Sequence, residues 1–556
     1  MARWGPLVVL AAAQLLLVLD TAVMNVSIGT LVEDLDTDVV AVQRVITAYS
    51  LVMAALMITG GKLGDRWGRR RAFSIGLVIY GAGSALTAVA PDVRVLLLGW
   101  SVLEGAGAAL ALPSLVALVA GSYRGRERAT AYGVLGAAAG AGVAIGPILG
   151  GWVTTSLSWR LVFVGEVVLV LGILVGVRIL TEPPKPSPRT GLDIVGAALS
   201  AVGLALVVLA ALQASTWGWL QPRSSPMTPL GFSLTPFVLA AGGMVLAGFI
   251  RWQRHRASIG QDPLIRLSLL SEPGLRAGLA TGLAQNVLLL GLFFTLPLYL
   301  QLVLGLDAFR TGVRLLPVSV MLLLSSLVGA GLAARWGPRS VVRVGLLTIL
   351  LATLAVLNVI GPTLAGASFA IAMGLLGTGM GLVASQLGNV VQSSVSDTAR
   401  SEAGGLQFTA QNLGAALGTA LIGAVVLGSL TGTLATTIAA DDRLEPVLRD
   451  RAAVQVSAGV PFVDTDTVRD ALEDAGLDDD QVAALVEDYA DAQLVGLRTA
   501  LLAVAGLALA SLAVTSRLPR RVDELTDGDS RDGPSGVRAD PGNRSPSHPP
   551  GDDRSV

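Results

Sequence analysis

The chain has 556 residues, of which 53% are hydrophobic and only 14% are charged, whereas a soluble globular protein carries about 25% charged residues. The formal net charge of −1 leaves no basic surface for nucleic acid, and the absence of cysteine excludes disulfides, thiolate chemistry and cysteine metal sites. The two histidines, His255 and His548, lie in polar segments. We therefore expect no metal site and no cofactor, and any proton-binding group inside the apolar segments must be a carboxyl group.

Apolar segments of about twenty residues, the length that crosses a bilayer core, recur along the chain. Six of them precede a proline-rich break at residues 182–186, where a helix cannot continue without losing backbone hydrogen bonds. Two more follow, and a polar stretch from Arg251 to Glu272 separates these from the last six. The fourteen predicted membrane helices cover residues 7–31, 42–61, 72–90, 95–120, 130–154, 161–180, 192–213, 234–252, 275–304, 312–334, 341–361, 364–392, 403–430 and 495–516.

This six-two-six order predicts an all-α integral membrane protein. An N-terminal six-helix bundle occupies residues 1–181, and a C-terminal six-helix bundle occupies residues 273–518. Between them, residues 182–272 form a linker with two extra membrane helices. Residues 519–556, rich in proline, glycine, serine and charged residues, are predicted to form a disordered cytoplasmic tail.

Arginines follow the even-numbered helices, whereas the other loops are poor in cations or acidic. The positive-inside rule then places both termini in the cytoplasm of a protein of the inner (cytoplasmic) membrane, and the first apolar stretch is interpreted as an uncleaved helix. The acidic segment 431–494, with 15 acidic residues and four arginines, falls on the outer side. Two interpretations of this segment stay open, a solvated loop and a small external cap.

The loop after the second helix combines glycines with an acidic residue and a run of arginines in residues 61–71. The glycines permit a tight turn and a close helix approach, and the acidic residue can cap the next element or pair with an arginine. Such an ion pair can close in one conformation and break in another, which indicates a gating loop. The residues that define it are Gly61, Asp65, Arg66, Gly68 and Arg69.

The fifth helix carries a glycine motif with a single proline. Small residues four apart allow a second helix to pack closely, and the proline bends the helix. Close packing alone is sufficient to explain such a motif. Its members are Gly142, Gly146, Pro147, Gly150 and Gly151.

Three acidic residues lie inside predicted helices of the first bundle: Asp20, Glu104 and Glu166. An ionised carboxylate near the middle of a membrane is costly, so each should face a polar cavity or take up a proton. We predict that they form a proton site that also contributes, with Asn25, to binding a cationic substrate. The alternative is that Glu104 or Glu166 merely hydrogen-bonds a neighbouring helix while protonated. Glu402, at the start of the thirteenth helix, is expected to be solvated.

Three segments of the sequence resemble motifs of one transporter superfamily. Residues 61–71 resemble the cytoplasmic loop signature of the major facilitator superfamily, and residues 142–151 resemble the antiporter motif of its exporters. Residues 19–26 resemble the first-helix signature of its fourteen-helix drug–proton antiporter family, with Ala22 where that pattern has threonine. The resemblance covers about residues 7–516 and implies the major facilitator fold, with two six-helix bundles and two central linker helices.

Two departures from the family pattern concern the acidic residues. The fourth helix has Ser101 and Glu104 where the pattern has arginine and glutamine, and the sixth helix has Glu166 where asparagine is usual. The family is thought to use that arginine to modulate protonation. Because a cation is lost and two acids are gained, the carboxyls should be harder to ionise and should share protons.

The resemblance implies proton-coupled efflux of lipophilic compounds, cationic ones included, that are drugs or toxic metabolites. The protein would not be an enzyme; it would be driven by the proton gradient and would act as a monomer. Its partners would be a small-molecule substrate, protons and the bilayer, without nucleic acid. Two alternatives stay open: export or flipping of an endogenous lipid or metabolite and, less favoured by the fifth-helix motif, uptake by proton symport.

Overall fold

The computed structural model describes residues 4–37, 39–181, 193–222, 225–306, 308–364, 366–396, 399–441, 443–444, 449, 452, 456, 460 and 462–518. Every regular element in these ranges is helical. The predicted break at 182–186 and the predicted tail 519–556 lie outside the described residues.

Fourteen long helices account for most of the described chain. The first six are α1 (Gly5–Val26), α2 (Val39–Trp67), α3 (Arg69–Ala88), α4 (Val93–Ser122), α5 (Gly125–Ser156) and α6 (Arg160–Gly176). The linker pair is α7 (Ile194–Trp217) and α8 (Thr235–Ser258). The last six are α9 (Pro273–Val303), α10 (Ala308–Trp336), α11 (Pro338–Val359), α12 (Gly366–Ser393), α13 (Arg400–Ala440) and α14 (Asp479–Val514).

Thirteen of these helices contain a segment that is long and apolar enough to cross a membrane. The fourteenth, α3, begins with three arginines, residues 69–71, which shorten its apolar stretch. All fourteen predicted helices are nevertheless present in their predicted order, so the predicted all-helical membrane fold is confirmed.

The two ends of the helices differ in charge. At one end, which we call the basic face, the last turns of α2, α8 and α10 carry Arg66, Arg256 and Arg335. At the opposite end, which we call the acidic face, α13 ends and α14 begins with Asp479 and Asp480 in its first turn.

Buried apolar side chains form two large clusters. One is drawn from residues 7–180 and the other from residues 277–518, so each group of six helices has its own core. The linker helix α7 packs between them, because Val208 shares a smaller cluster with Ala54 of α2 and Ala416 of α13. The linker pair is therefore in contact with both groups of six.

Two predicted helix boundaries at the acidic face are wrong. Helix α13 continues to Ala440 rather than ending at residue 430, and α14 begins at Asp479 rather than at 495. Both extensions bury apolar side chains in one cluster, with Ile438 of α13 and Tyr489 of α14 each 2% exposed. The length of an apolar run predicts where a helix leaves the membrane. It does not predict where the helix ends, because the helix can continue beyond the membrane as an amphipathic segment.

The extensions of α13 and α14 form part of a small cap. The helix Thr465–Asp474 is N-capped by Asp464, which accepts a hydrogen bond from the Thr467 backbone N over 2.8 Å. This bond and one from the Thr467 hydroxyl hold the pKa of Asp464 below its usual range. Arg443 pairs with Asp488 of α14 over 3.2 Å. The described residues of the acidic segment thus support the cap rather than the solvated loop.

The glycine motif of α5 brings this helix into close contact with α1. A Cβ atom at Gly146 would lie 2.4 Å from the Cβ of Ala22, and one at Gly150 would lie 2.9 Å from the side chain of Val23. Gly142 approaches Val18 in the same way. The motif therefore fixes the turn of α1 that carries Asp20. The side chain of Pro147 lies outside the described residues, and Gly151 is only half-buried.

We predict opposite effects of alanine at two glycines of the first six helices. Gly146→Ala should lower stability by about 1–3 kcal/mol, because the added methyl group overpacks the contact with α1. Gly172→Ala on α6, where a Cβ atom meets nothing within 4 Å, should be neutral or stabilising through its better helix propensity. Thermal unfolding in detergent measures both. Equal melting temperatures for the two variants would contradict the packing role of the motif.

Candidate functional site

Three carboxyl groups from different helices meet inside the first six helices. Asp20 of α1, Glu104 of α4 and Glu166 of α6 are 1%, 0% and 2% exposed, and one oxygen of each lies within 4.8 Å of the others. Among the described residues, none of the three forms an ion pair. The structure thus brings together the acids that the sequence singled out. We call them the carboxyl cluster.

Trp100 of α4 fixes the position of Asp20. Its indole Nε1 donates a hydrogen bond to Asp20 Oδ1 over 2.8 Å, and its ring stacks on Tyr49 of α2 with 4.5 Å between centroids. Helix α4 is a π-helix over Leu97–Glu104, which widens it at the residues that reach the carboxyl cluster. Ser101 stands where the family pattern has arginine. Its Oγ donates a hydrogen bond to the Val45 carbonyl of α2 over 2.7 Å.

Helix α3 supplies the donors for the two glutamates. Glu166 Oε2 accepts hydrogen bonds from Ser84 over 3.1 Å and from Tyr80 over 3.4 Å, and Glu104 Oε1 accepts one from Thr87 over 3.4 Å. The second oxygen of each of the three clustered carboxyls is buried without a partner among the described residues. Sequence analysis missed these donors, because a hydroxyl in an apolar helix usually bonds its own backbone.

The carboxyl cluster lies nearer the acidic face than the basic face. Asp20 is six residues from the end of α1 at Val26, and Glu166 is six residues from the start of α6 at Arg160. Six residues of helix span about 9 Å. Asn25, the other residue predicted for this site, lies on α1, but its side chain is outside the described residues.

The chemistry available to the carboxyl cluster is that of oxygen donors in a low dielectric. Three carboxylates this close cannot all remain charged without a cation, so protons must be shared among them. Oxygen ligands also suit hard metal ions, which makes these residues the ones that could hold a metal if one were bound. In both cases the cluster offers oxygen ligands to a small cation, either a proton or a metal ion.

A second set of residues closes the basic face. Asp65 pairs with Arg69 over 3.6 Å and accepts a hydrogen bond from the backbone N of Glu402 over 3.1 Å. Arg69 Nε donates to Ser401 Oγ over 3.0 Å. We call these four residues the latch. Because Ser401 and Glu402 begin α13, the latch joins the first six helices to the last six.

The glycines of the 61–71 loop allow this approach. A Cβ atom at Gly61 would lie 2.6 Å from a carbonyl oxygen of α13, and Gly68 has a φ of +99°, which favours glycine. Arg66 is exposed, so Asp65 pairs with Arg69 and not with Arg66. Of the predicted gating residues, Asp65 and Arg69 belong to the latch. Gly61 permits the close approach of α13 and Gly68 takes the positive φ, whereas Arg66 is exposed.

The segment after α8 bridges the same two helices. Asp262 pairs with Lys62 of α2 over 3.1 Å, and Arg266 pairs with Glu402 of α13 over 3.2 Å. We call residues 262–266 the clasp. Between its two ion pairs, Leu264 is fully buried in a cluster formed by α2, α7 and α8.

The expectation that Glu402 is solvated is wrong. Its side chain is 2% exposed, because the clasp covers it and the backbone N of Arg266 donates to its carboxylate. A single sequence could not show this, since the clasp is distant in the chain and reaches α13 only in the folded protein. Glu402 therefore belongs to both groups of contacts: its backbone N bonds Asp65 of the latch, and its side chain pairs with Arg266 of the clasp.

Asp193 anchors the linker pair at the basic face. It N-caps α7 through the Gly196 backbone N over 2.9 Å, and it accepts hydrogen bonds from Trp252 over 2.9 Å and Gln253 over 2.8 Å of α8. Burial disfavours its charge, but these bonds together with the nearby Arg256 hold its pKa below the usual range. Gln253 in turn accepts a bond from the clasp backbone, so the linker pair holds the clasp in place.

Two further arginines tie the two groups of six together at the basic face. Arg128 of α5 donates to Asn389 of α12 over 3.4 Å, and Arg400 of α13 donates to the Ala120 carbonyl of α4 over 3.2 Å. Gly140 of α5 also lies against α10, where a Cβ atom would overlap Leu322. With the latch and the clasp, these contacts close the basic face in this structure.

A separate ion pair lies at the acidic face. Asp34 accepts a hydrogen bond from the Trp159 indole over 2.9 Å and pairs with Arg160, whose guanidinium also contacts the Ala90 carbonyl. The Trp159 bond and then the Arg160 contacts hold the pKa of Asp34 below its usual range. This pair joins the segment after α1, the α3–α4 loop and the start of α6, all within the first six helices.

Comparison with known proteins identifies the fold and the family. The family model described as Major Facilitator Superfamily matches residues 10–419. The chain belongs to the major facilitator superfamily. This confirms the family that the motifs predicted, and it makes the chain a multi-pass membrane transporter.

Relatives of this transporter are named for antibiotic transport, antibiotic resistance and multidrug efflux. The probable actinorhodin transporter of Streptomyces coelicolor is 32% identical over 82% of this chain and 77% of the relative. Puromycin resistance protein pur8 of Streptomyces alboniger is 33% identical over 78% and 84%. Multidrug efflux pump LfrA of Mycolicibacterium smegmatis is 29% identical over 76% and 80%.

Two solved transporters of low identity share the fold. The human organic anion transporter MFSD10 matches with a TM-score of 0.56 and 16% identity, over 93% of this chain and 98% of that one. The proton:xylose symporter XylE matches with a TM-score of 0.51 and 15% identity, over 75% and 87%. At these identities the likeness concerns the fold alone.

We predict that Arg69→Ala loosens the basic face. A hydrogen bond to a charged group contributes about 1.5–3 kcal/mol, so losing the Arg69 contacts should favour opening by about tenfold or more. The chain lacks cysteine, so a single Ser114→Cys beneath the latch reports opening through its reactivity with a membrane-impermeant maleimide. The matched control is Arg71→Ala, whose side chain is exposed. Equal labelling in the two backgrounds would show that Arg69 does not hold this face closed.

Proposed function

We propose that this transporter exports lipophilic small molecules, cationic ones included, across the cytoplasmic membrane in exchange for protons. The observation that carries the proposal is the carboxyl cluster, three buried acids without an ion-pair partner among the described residues. A membrane protein retains such groups at a cost in stability, which points to ion coupling. The names of the relatives support drug export as its direction.

The charge of the loops supports an orientation. By the positive-inside rule the basic face lies in the cytoplasm, with both termini, and the acidic face lies outside. The structure, closed by the latch and the clasp at the basic face, is then the state closed to the cytoplasm. In this state the carboxyl cluster is nearer the outside, from which protons would enter.

Exchange requires that proton and substrate favour different states of the transporter. Protonation neutralises the carboxyl cluster and removes the repulsion among its members. A cationic substrate stabilises the same carboxyls in their charged form, so binding of one ligand disfavours the other. The inward proton gradient then drives the substrate outward as the two groups of six rock about the site.

Proton coupling is tested in proteoliposomes with an acidic interior and an internal fluorescent pH reporter. Adding a transported lipophilic cation should collapse the gradient, and Asp20→Asn or Glu104→Gln should reduce this proton flux by about tenfold or more. Asp480→Asn, which removes an exposed acid of the acidic segment, is the control and should behave as wild type. Undiminished proton flux in the Glu104→Gln protein would remove Glu104 from the coupling site.

Closure of the basic face should be part of the transport cycle, and a disulfide tests this. A Cβ atom at Gly136 of α5 would lie 3.7 Å from the Cβ of Ala384 of α12, which is within the range of about 3.5–4.5 Å for a disulfide. Oxidised Gly136→Cys/Ala384→Cys protein should lose transport, and reduction should restore it. The two single variants are the controls. Full transport by the cross-linked protein would mean that this face need not open.

A further inference from the structure

The loop between α7 and α8, residues 218–234, exposes large apolar side chains. We call it the linker loop; its residues 223 and 224 lie outside the described residues. Four of its apolar side chains are at least 50% exposed: Leu220, Met227, Leu230 and Phe232. Leu230, at 88%, is the most exposed large apolar side chain of the described chain. Such a group of side chains in one loop marks an interaction surface.

The linker loop lies where α7 and α8 leave the bilayer. Helix α7 begins at the basic face, where Asp193 caps it, so its far end at Trp217 lies at the acidic face. Both helices contain a segment long and apolar enough to cross a membrane. Trp217 and Trp219 are half-buried at the start of the loop, and tryptophan is typical of the boundary between hydrocarbon and water. The loop is therefore at the level of this boundary.

The charge of the linker loop differs from that of the cap on the same face. Residues 218–234 contain one charged residue, Arg223, whereas the acidic segment 431–494 contains 15 acidic residues. Charged side chains favour contact with water, and the acidic segment has many of them. The linker loop has the composition of a segment that contacts a less polar medium.

The backbone of Leu230 is strained in a way that keeps its side chain at the tip of the loop. Its φ is +54° and its ψ is +24°, in the left-handed region that leucine rarely adopts. Hydrogen bonds from Gly231 N to the Thr228 carbonyl, over 3.1 Å, and from Phe232 N to the Pro229 carbonyl, over 3.0 Å, hold this turn. A turn in water favours glycine or asparagine at such a position. A leucine there indicates that its side chain gains contacts beyond the protein.

Hydrogen bonds within the linker loop satisfy much of its backbone. Ser233 N donates to the Leu220 carbonyl over 2.9 Å, and Ser233 Oγ donates to the Gly218 carbonyl over 2.8 Å. Leu234 N donates to Ser225 Oγ over 3.1 Å. An unpaired backbone group is costly in an apolar medium, so these bonds allow the tip of the loop to enter one.

The exposed apolar surface of the loop continues the membrane-facing surface of α8. Only 17% of the apolar segment of α8 is buried inside the described structure, the lowest share among the thirteen membrane-length helices. Phe237 and Leu239 in its first turns and Met244 farther along are exposed. Phe232 of the loop precedes this surface by one helical turn. The medium that covers α8, the lipid, is therefore also the nearest cover for the loop.

We propose that the linker loop is a membrane anchor that inserts its apolar side chains into the acyl-chain boundary of the leaflet at the acidic face. The inserted residues are Leu220, Met227, Leu230 and Phe232. Their insertion holds α7 and α8 at a fixed depth in the bilayer. Because α8 leads into the clasp, the anchor also sets the level at which the clasp meets α2 and α13. The anchor is independent of the direction of transport and of its coupling ion.

The test places one environment-sensitive fluorophore in the full-length protein. The chain lacks cysteine, so Met227→Cys labelled with nitrobenzoxadiazole reports the loop alone. The protein is placed in lipid nanodiscs that hold one copy each. Phospholipids with a nitroxide on the upper acyl chain quench a label in the membrane, and iodide quenches a label in water. The controls are Met244→Cys on the lipid-facing side of α8 and Asp480→Cys on the exposed surface of the cap.

We expect the label at residue 227 to behave as the one at residue 244, quenched by the nitroxide lipid and protected from iodide. The label at residue 480 should show the opposite. Leu230→Asn keeps the turn, because asparagine tolerates the left-handed region, but removes the apolar tip. It should lower nitroxide quenching at residue 227 by about threefold or more and leave quenching at residue 244 unchanged. The unchanged label at residue 244 shows that the variant is folded.

Three results would overturn the anchor. Quenching at residue 227 by iodide but not by the nitroxide lipid would place the loop in water. Protection from both quenchers would mean that protein covers the loop, and nitroxide quenching that is lost when two copies share a nanodisc would assign it to a second copy. Undiminished nitroxide quenching in the Leu230→Asn protein would show that the tip of the loop does not hold it in the membrane.

Discussion

A carboxyl group inside a bilayer has two ways to avoid the cost of an isolated charge, a cation partner or a proton. The latch and the clasp use the first, since Asp65 has Arg69 and Glu402 has Arg266. The carboxyl cluster has no such partner among the described residues and must use the second. The same constraint therefore separates Asp65 and Glu402, which have cation partners between the two groups of six, from Asp20, Glu104 and Glu166, which need a proton.

The two sets are connected through the helices that carry them. Helix α2 carries Asp65 of the latch at one end and, farther along, Tyr49, which stacks on the Trp100 that fixes Asp20. Helix α5 packs its glycines on α1 beside Asp20 and its basic-face end on α10 and α12. A change in charge within the cluster thus acts on helices that also form the contact between the two groups of six.

Much of this arrangement is predictable from the sequence, for physical reasons. Runs of apolar residues give the helices, and the glycine spacings of α5 predict close packing. The cost of buried charge singles out Asp20, Glu104 and Glu166. What sequence could not predict depends on contacts between distant segments. The sequence predicts that Glu402 is solvated at the start of a helix, whereas in the structure the clasp covers it.

The donors around the cluster escaped prediction for a different reason. Tyr80, Ser84 and Trp100 are of residue types that occur widely in membrane helices. Only their positions in the folded structure show that they hydrogen-bond the clustered carboxyls. The extensions of α13 and α14 were also missed, because hydropathy reports the membrane boundary and not the end of the helix. In each of these cases the missing information is a tertiary contact.

The clasp has a consequence for how linker helices are gained or lost in evolution. If α7, α8 and the clasp were deleted from this transporter, Glu402 would lose Arg266 and become an uncompensated acid beside the latch, and Ile58 of α2 would lose its apolar covering. Arg266 is 37% exposed, so water screens this ion pair in part and its loss costs less than the loss of a fully buried pair. A twelve-helix descendant would therefore need a neutral residue in place of Glu402 and a different covering for Ile58. The linker pair of this chain is an integral part of the fold rather than a removable insertion.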